Sequence, residues 1–205
     1  DENIGRVLDA LKKKGLDKNT IVCLLSDNGG LSTAEGSPTC NFPLRAGKGW
    51  LYEGGIREPF LIKYPKVVEA GSVCHNPVIG VDFYPTILEL TGLPLKPEQH
   101  VDGVSLVPFL KGDRTFDRGP IFWHYPHYGG KGDTPGEAIR MGDYKLIEFY
   151  EDNHVELYNL RTDISETHDL SKEKPEVAAD LLKRLHDWRK ACGAKMPKTN
   201  PNYKK

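Results

Sequence analysis

From Ile21 to Arg57 the chain reads IVCLLSDNGGLSTAEGSPTCNFPLRAGKGWLYEGGIR. The apolar run Ile21–Leu25 has the length and composition of a fully buried strand. It stops at Ser26-Asp27-Asn28-Gly29-Gly30, where a carboxylate and an amide oxygen are adjacent and two glycines free the backbone. In open α/β sheets, ligands bind just beyond the carboxyl ends of the strands, which is where Asp27 and Asn28 fall. A polar, glycine-rich connection leads to Arg45-Ala46-Gly47-Lys48-Gly49, and then to Glu53-Gly54-Gly55-Ile56-Arg57-Glu58-Pro59.

The surrounding pattern is that of an α/β domain. Ile4, Val7, Leu8 and Leu11 fall at helical spacing and Gly15 is placed to end the helix. Helix, turn and buried strand in that order point to an α/β arrangement. Phe60–Tyr64 reads as a second strand and Val78–Val81 as a short third one. Asp82 then stands as an N-cap for Phe83–Thr91, with Pro85 in the first turn and Gly92 at the end. Ser105 is placed to cap a short helix, Leu106–Leu110.

Near Gly112 the pattern changes, which predicts a division into residues 1–112 and 113–205. Ile121–Tyr125, Ala138–Met141, Tyr144–Tyr150 and Val155–Leu160 are short strand-like runs, and Gly142-Asp143 and Glu151-Asp152-Asn153 suit hairpins. Pro175 opens a helix whose Val177, Leu181, Leu182, Leu185 and Trp188 form one apolar face, closed by Gly193. A small antiparallel sheet covered by one helix follows, then a polar tail from Met196.

Bulk properties narrow the function. With 205 residues, 38% of them hydrophobic, the chain can build a core. A net charge of -1 gives no basic footprint for nucleic acid. No apolar stretch approaches the ~20 residues of a membrane span. The four cysteines, Cys23, Cys40, Cys74 and Cys192, lie far apart without a C-x-x-C pair. They argue against a zinc knuckle, and leave one or two disulfides and the redox compartment open. Cys23 reads as a small core residue.

Asp27 and Asn28 offer hard oxygen ligands, which suit Ca²⁺ or Mg²⁺ better than Zn²⁺. Two ligands fall short of the roughly 6–8 that calcium takes, so other segments and the substrate have to complete such a site. Taken alone, Asp-Asn-Gly-Gly is an ordinary turn and Lys48 an ordinary solvated lysine. Between two glycines, however, Lys48 can approach an anion closely, and a cation opposite a metal grips an oxyanion ester from two sides.

The combination carries more than its parts. S-D-N-G-G at a strand end, then P-L-R-A-G-K-G and Y-E-G-G-I-R-E-P, resembles the C-terminal half of the catalytic region of type I sulfatases. These are the formylglycine-dependent arylsulfatases of the alkaline phosphatase-like superfamily. The resemblance continues through Val81–Gly92, Asp102–Leu106, Ala138–Leu146, Glu156–Leu160 and Asn200–Tyr203, in order along nearly the whole chain. It implies an incomplete alkaline phosphatase-like α/β domain, followed by a small α+β subdomain with an antiparallel sheet and C-terminal helix.

Carried over by position, the resemblance makes Asp27 and Asn28 ligands of an active-site Ca²⁺, and Lys48 the catalytic lysine that contacts the sulfate. Glu53 with Arg57, and Arg140 with Asp143, are expected to hold loop and hairpin shape. His124 and His127, in WHYPHYGG, are candidates for touching the non-sulfate part of the substrate; His75, His100, His154, His168 and His186 read as surface residues. The chain departs from the family in what it lacks. No Cys or Ser stands in C/S-x-P-x-R, the motif converted to formylglycine, and the family's N-terminal Asp-Asp metal pair is missing.

The expectation is therefore the C-terminal part of a sulfate-ester hydrolase acting on a sulfated glycan or small aryl sulfate. It needs the N-terminal half of the same enzyme and is inactive alone. By family habit its location is periplasmic or extracellular. A phosphodiesterase or phosphonate monoester hydrolase of the same superfamily, and a non-catalytic glycan-binding relic, are the alternatives.

Overall fold

The computed structural model describes residues 1–198; the Asn200–Tyr203 motif lies outside them. Two compact units emerge. The first comprises Asp1–Leu25 with Pro59–Arg118, and the second Ser26–Glu58 with Gly119 onward. The stretch carrying Asp27, Lys48 and Glu53 thus groups with the C-terminal sheet.

In the first unit, helix α1 (Glu2–Lys13) precedes strand β1 (Val22–Leu25), which pairs antiparallel with β2 (Phe60–Lys63). The run expected to be fully buried is not: Leu24 and Leu25 are 40% and 46% exposed. α1 buries none of its residues and leaves Ile4 and Val7 exposed. The reason is that β2 is the only strand partner of β1 among the described residues, so its side chains have no second layer to enter.

The expected strand at Val78–Val81 is instead a 3₁₀ turn, Gly80–Asp82, running into α3 (Phe83–Leu90). Asp82 explains this. Its carboxylate does not cap α3 but accepts the N–H of Ile79 at 3.0 Å and of Val104 at 3.0 Å. Arg118 closes on it with two bonds, at 3.0 and 2.8 Å. Folding the carboxylate inward winds the backbone tightly at the point where an extended run was expected. Thr86 accepts the N–H of Leu106 and so ties α3 to the start of α4 (Val107–Leu110).

The second unit is a four-stranded antiparallel sheet in the order β3 (Ile121–Tyr125), β4 (Gly136–Met141), β5 (Tyr144–Phe149), β6 (Val155–Asn159). The tight turns at Gly142-Asp143 and Glu151–Asn153 set a register of Met141 with Tyr144 and Glu148 with Val155. One face meets α5 (Pro175–Ala191) through Ile139, Leu146, Leu157, Ala178, Leu181 and Leu185. The other meets Leu51 and Tyr52 through Ala138, Ile147, Phe149 and Tyr158. Both faces are covered, so β4 and β5 are buried along nearly their whole length and show no in-out alternation.

The four cysteines are free thiols. Among the described residues no helix is long and apolar enough to cross a membrane.

Candidate functional site

The segment Ser26–Glu58 wraps back on itself through its glycines. The Gly29 N–H donates to Gly55 O at 3.0 Å, the Lys48 N–H to Gly30 O at 3.1 Å, and the Gly54 N–H to Arg45 O at 2.8 Å. These three bonds bring the S-D-N-G-G turn, the R-A-G-K-G loop and the short helix α2 (Glu53–Ile56) into one backbone cluster. The Asn41 amide fastens it from within, donating to Gly30 O at 2.8 Å and Ala46 O at 3.0 Å.

Close approach is what the glycines are for. A methyl group on Gly29 would overlap the carbonyl of Gly54, and one on Gly54 would overlap the carbonyls of Arg45 and Ala46. Replacing Gly29 with alanine is expected to cost about 3 kcal/mol, the upper end for overpacking, measured by urea unfolding. Gly5→Ala in α1 meets open space and is expected to be neutral or slightly stabilising.

Asp27 and Lys48 are exposed, and Asn28 is half-buried with its amide donating to the Asp27 carboxylate at 2.6 Å. The test of whether a cation fits here comes from Glu58. One of its oxygens is buried without a hydrogen-bond partner. Its acidity is weakened first by burial and then by the charge on Asp27. Two carboxyl groups repel where the amide of Asn28 adds only a neutral oxygen, and a hard cation relieves such a donor set. The residues present fit calcium as part of a coordination shell.

Lys48 is framed by residues that sequence reasoning missed. The loop after β3 is a closed turn: Asp133 accepts the N–H groups of Gly129 at 2.6 Å and Lys131 at 2.8 Å. The Lys131 carbonyl accepts the indole N–H of Trp50 at 3.2 Å and the hydroxyl of Thr33 at 3.1 Å. Lys131 also pairs with Glu35, whose acidity is strengthened first by that bond and also by the charge of Lys48. At Gly49, which has φ +95°, an added Cβ would touch Asp133 and Lys131 at 3.2 Å. The segment that follows WHYPHYGG therefore lies against the residue next to Lys48. Nothing short of the fold reveals this, because Gly49 and Asp133 lie far apart in the chain.

The two histidines of that segment part company. His127 is exposed, its ring edge-on to Tyr125 with centroids 5.5 Å apart. His124 is engaged at both nitrogens: Nδ1 lies 2.7 Å from the Tyr150 hydroxyl and Nε2 3.0 Å from the Lys195 carbonyl. His186, expected at the surface, instead sits 2.8 Å from Glu148.

Buried ion pairs hold the cluster to the sheet. Glu53 does meet Arg57, at 3.4 Å, but its nearer partner is Lys145 at 3.1 Å, and Arg140 approaches at 3.6 Å. Lys145 also reaches Glu166 at 2.8 Å, and Glu166 accepts the Glu53 N–H at 2.7 Å. Arg45 lies 3.8 Å over the Tyr52 ring and donates to the Tyr158 hydroxyl at 2.9 Å. Burial, followed by the neighbouring Glu156 carboxylate, makes both tyrosines weaker acids.

Known proteins match this chain along most of its length. Residues 46–191 match the family model described as N-sulphoglucosamine sulphohydrolase, C-terminal. A sulfatase of Formosa agariphila is 39% identical over 211 residues, covering 92% of this chain and 37% of its own length. An N-acetylglucosamine-6-O-sulfatase of Bacteroides thetaiotaomicron is 32% identical over 197 residues, covering 93% of this chain and 34% of its own. The crystal structure of Ps i-CgsB in complex with k-i-k-neocarrahexaose superposes with a TM-score of 0.79 at 36% identity, covering 91% of this chain and 40% of that one. The chain thus spans 37% and 34% of the length of these two curated relatives.

Proposed function

The chain belongs to the sulfatase family, and from that premise we propose that it is the C-terminal part of an enzyme that hydrolyses sulfate esters. The observation that carries this reading is the glycine cluster that draws Asp27-Asn28 and Lys48 onto neighbouring backbone, with the Lys48 N–H bonded to Gly30 O at 3.1 Å. We assign residues 1–112 to the large α/β domain of the intact enzyme and 113–205 to the small one, with Ser26–Glu58 packed on the small domain's sheet. The exposed apolar residues of α1 and β1 agree with further chain covering them.

Asp27 and Asn28 are proposed to contribute two oxygen ligands to a calcium ion, with the rest supplied from outside residues 1–205. When bound, the ion polarises the sulfate oxygens and withdraws negative charge from them. Lys48, an ammonium on a loop with no bulky neighbours at 47 or 49, neutralises the charge that develops as the ester S–O bond lengthens. The alcohol oxygen departs with a proton as sulfur passes to an oxygen nucleophile supplied from outside residues 1–205, the sulfuryl oxygens remaining paired with the lysine. We assign that nucleophile, a formylglycine, to a part of the enzyme outside residues 1–205.

One relative is an N-acetylglucosamine-6-O-sulfatase and a similar structure holds a neocarrahexaose, which favours a sulfated glycan as substrate. Location in the periplasm or outside the cell agrees with where such glycans are met. His127 and Lys131 are proposed to line the rim where the sugar beyond the sulfate rests; His124, with both nitrogens engaged, is a positioning residue at most.

The test compares the 205-residue chain with the longer polypeptide read from the upstream frame, using an aryl sulfate and sulfated oligosaccharides. The longer form is expected to release sulfate and to lose activity on calcium chelation, and the chain alone to release none. Turnover by the chain alone would overturn the proposal of a shared site. Preference of the longer form for phosphate diesters with stoichiometric Zn²⁺ or Mn²⁺ would overturn the sulfatase reading itself.

A further inference from the structure

On the face of the sheet covered by α5, His124 of β3 pairs across to Glu137 of β4, and Glu137 to Glu148 of β5. From α5, His186 and Arg189 descend on the two carboxylates one turn apart. The Arg189 Nη1 donates to Glu137 Oε1 at 2.6 Å and to Glu148 Oε2 at 3.3 Å. His186 Nε2 is 2.8 Å from Glu148 Oε2 and 3.9 Å from Glu137 Oε1. Glu137 is 0% exposed, and its second oxygen, Oε2, is buried with no hydrogen-bond partner. That oxygen faces His124 Nδ1 at 3.6 Å.

Counting protons shows what is missing. His124 Nε2 points at the Lys195 carbonyl, so it must carry a hydrogen. The Tyr150 hydroxyl, 2.7 Å from Nδ1, has one hydrogen to give, and in a neutral ring it goes to Nδ1 or to Glu137 but not to both. Glu137 Oε2 then looks toward a lone pair, and two buried carboxylates share one guanidinium. An unpartnered buried carboxylate oxygen is costly. One more proton, on Glu137 Oε2 or on His124 Nδ1, turns the lone-pair contact into an attraction and leaves a single negative charge opposite Arg189.

We propose that Glu137, Glu148, His124, His186 and Arg189 form a proton-operated latch, in which one exchangeable proton holds the C-terminal turns of α5 against the sheet. Glu137, Glu148 and His186 are of the types that bind metal ions. The guanidinium of Arg189, however, already bridges the two carboxylates, and a divalent cation there would meet its charge in a medium that screens poorly. A proton is the cation that fits.

The groups facing Glu137 are His124 from β3, Glu148 from β5, Tyr150 just beyond β5, and His186 and Arg189 from α5. Burial first, and then the Glu148 carboxyl, push Glu137 up to about 7, while Tyr150 and Arg189 pull the other way. A carboxyl raised in the folded state contributes its stability fully below its ordinary value of 4.5 and loses it as pH climbs to about 7. Above that it changes no further. Within this window the folding equilibrium constant falls by about tenfold per pH unit.

The test is thermal and urea unfolding of the full chain from pH 4 to 9, as wild type and as E137Q, whose amide cannot ionise. The wild type is expected to lose stability relative to E137Q as pH rises toward 7, and the difference to level off above it. A difference that stays constant from pH 4 to 9 would overturn the latch. If E137Q does not fold, infrared difference spectra of the wild type decide. A buried protonated-carboxyl band that fades with a midpoint near neutrality supports it, and no such band at pH 6 overturns it. Retention of a stoichiometric metal ion by the chain, lost in E137Q, would also overturn it.

Discussion

Replacing Lys145 with methionine is expected to destabilise the second unit by about 3–5 kcal/mol, the range for removing one partner of a buried ion pair. Lys145 is 0% exposed on β5 and lies between Glu53 at 3.1 Å and Glu166 at 2.8 Å. Without the ammonium, Glu53 keeps Arg57 at 3.4 Å and Arg140 at 3.6 Å. Glu166 keeps no cation of that kind among its described partners, and burial already makes its carboxyl a weaker acid. The loss should therefore concentrate on Glu166, and K145M should be less damaging as pH falls, since a carboxyl whose acidity is weakened by burial takes up a proton more readily. Urea unfolding at pH 5 and pH 8 checks this, and K145M/E166Q should recover part of the loss through coupling between neighbours. A cost below about 1 kcal/mol, typical of exposed pairs, would show that the triad is not what fastens α2 to the sheet.

The second large effect is on activity. In the longer polypeptide, Lys48→Ala is expected to lower kcat/KM for a sulfate ester by about 10²–10³, the loss typical of removing one group that stabilises transition-state charge. Lys48 is exposed, so the thermal unfolding of the variant should match that of the parent. This separates a loss of chemistry from a loss of fold. An unchanged kcat with a raised KM would instead make Lys48 a residue that only holds the ground state. Gly29→Ala should reduce stability and activity together, since it wedges apart the backbone that carries Asp27 and Lys48.

How far the residues themselves could be read depended on how local the governing contacts were. The hairpins at Gly142-Asp143 and Glu151–Asn153, the helix from Pro175 and the α1 helix all came from short-range periodicity and turn chemistry, and the structure has them. The turn at Gly80–Asp82 leaves no local sign, because Asp82 answers to Arg118, 36 positions away. The strand at Val22–Leu25 was read correctly as a strand but wrongly as buried, since burial depends on which layers lie over it. A histidine on a helix, such as His186, gives no sign of the carboxylates that strand register brings beneath it.

By itself the sequence determined the family, the secondary elements of the sheet and α5, and the candidate residues Asp27, Asn28 and Lys48. All of these rest on adjacent residues whose spacing is visible in the chain. Only the tertiary structure decided that Ser26–Glu58 belongs with the C-terminal sheet, that Asp133 and Lys131 abut Gly49, and that Glu137, Glu148 and Arg189 share one buried site. The physical reason is that buried charge is tolerated where a partner arrives from a distant segment. Which segment that is depends on register and layer packing, and neither leaves a short-range trace.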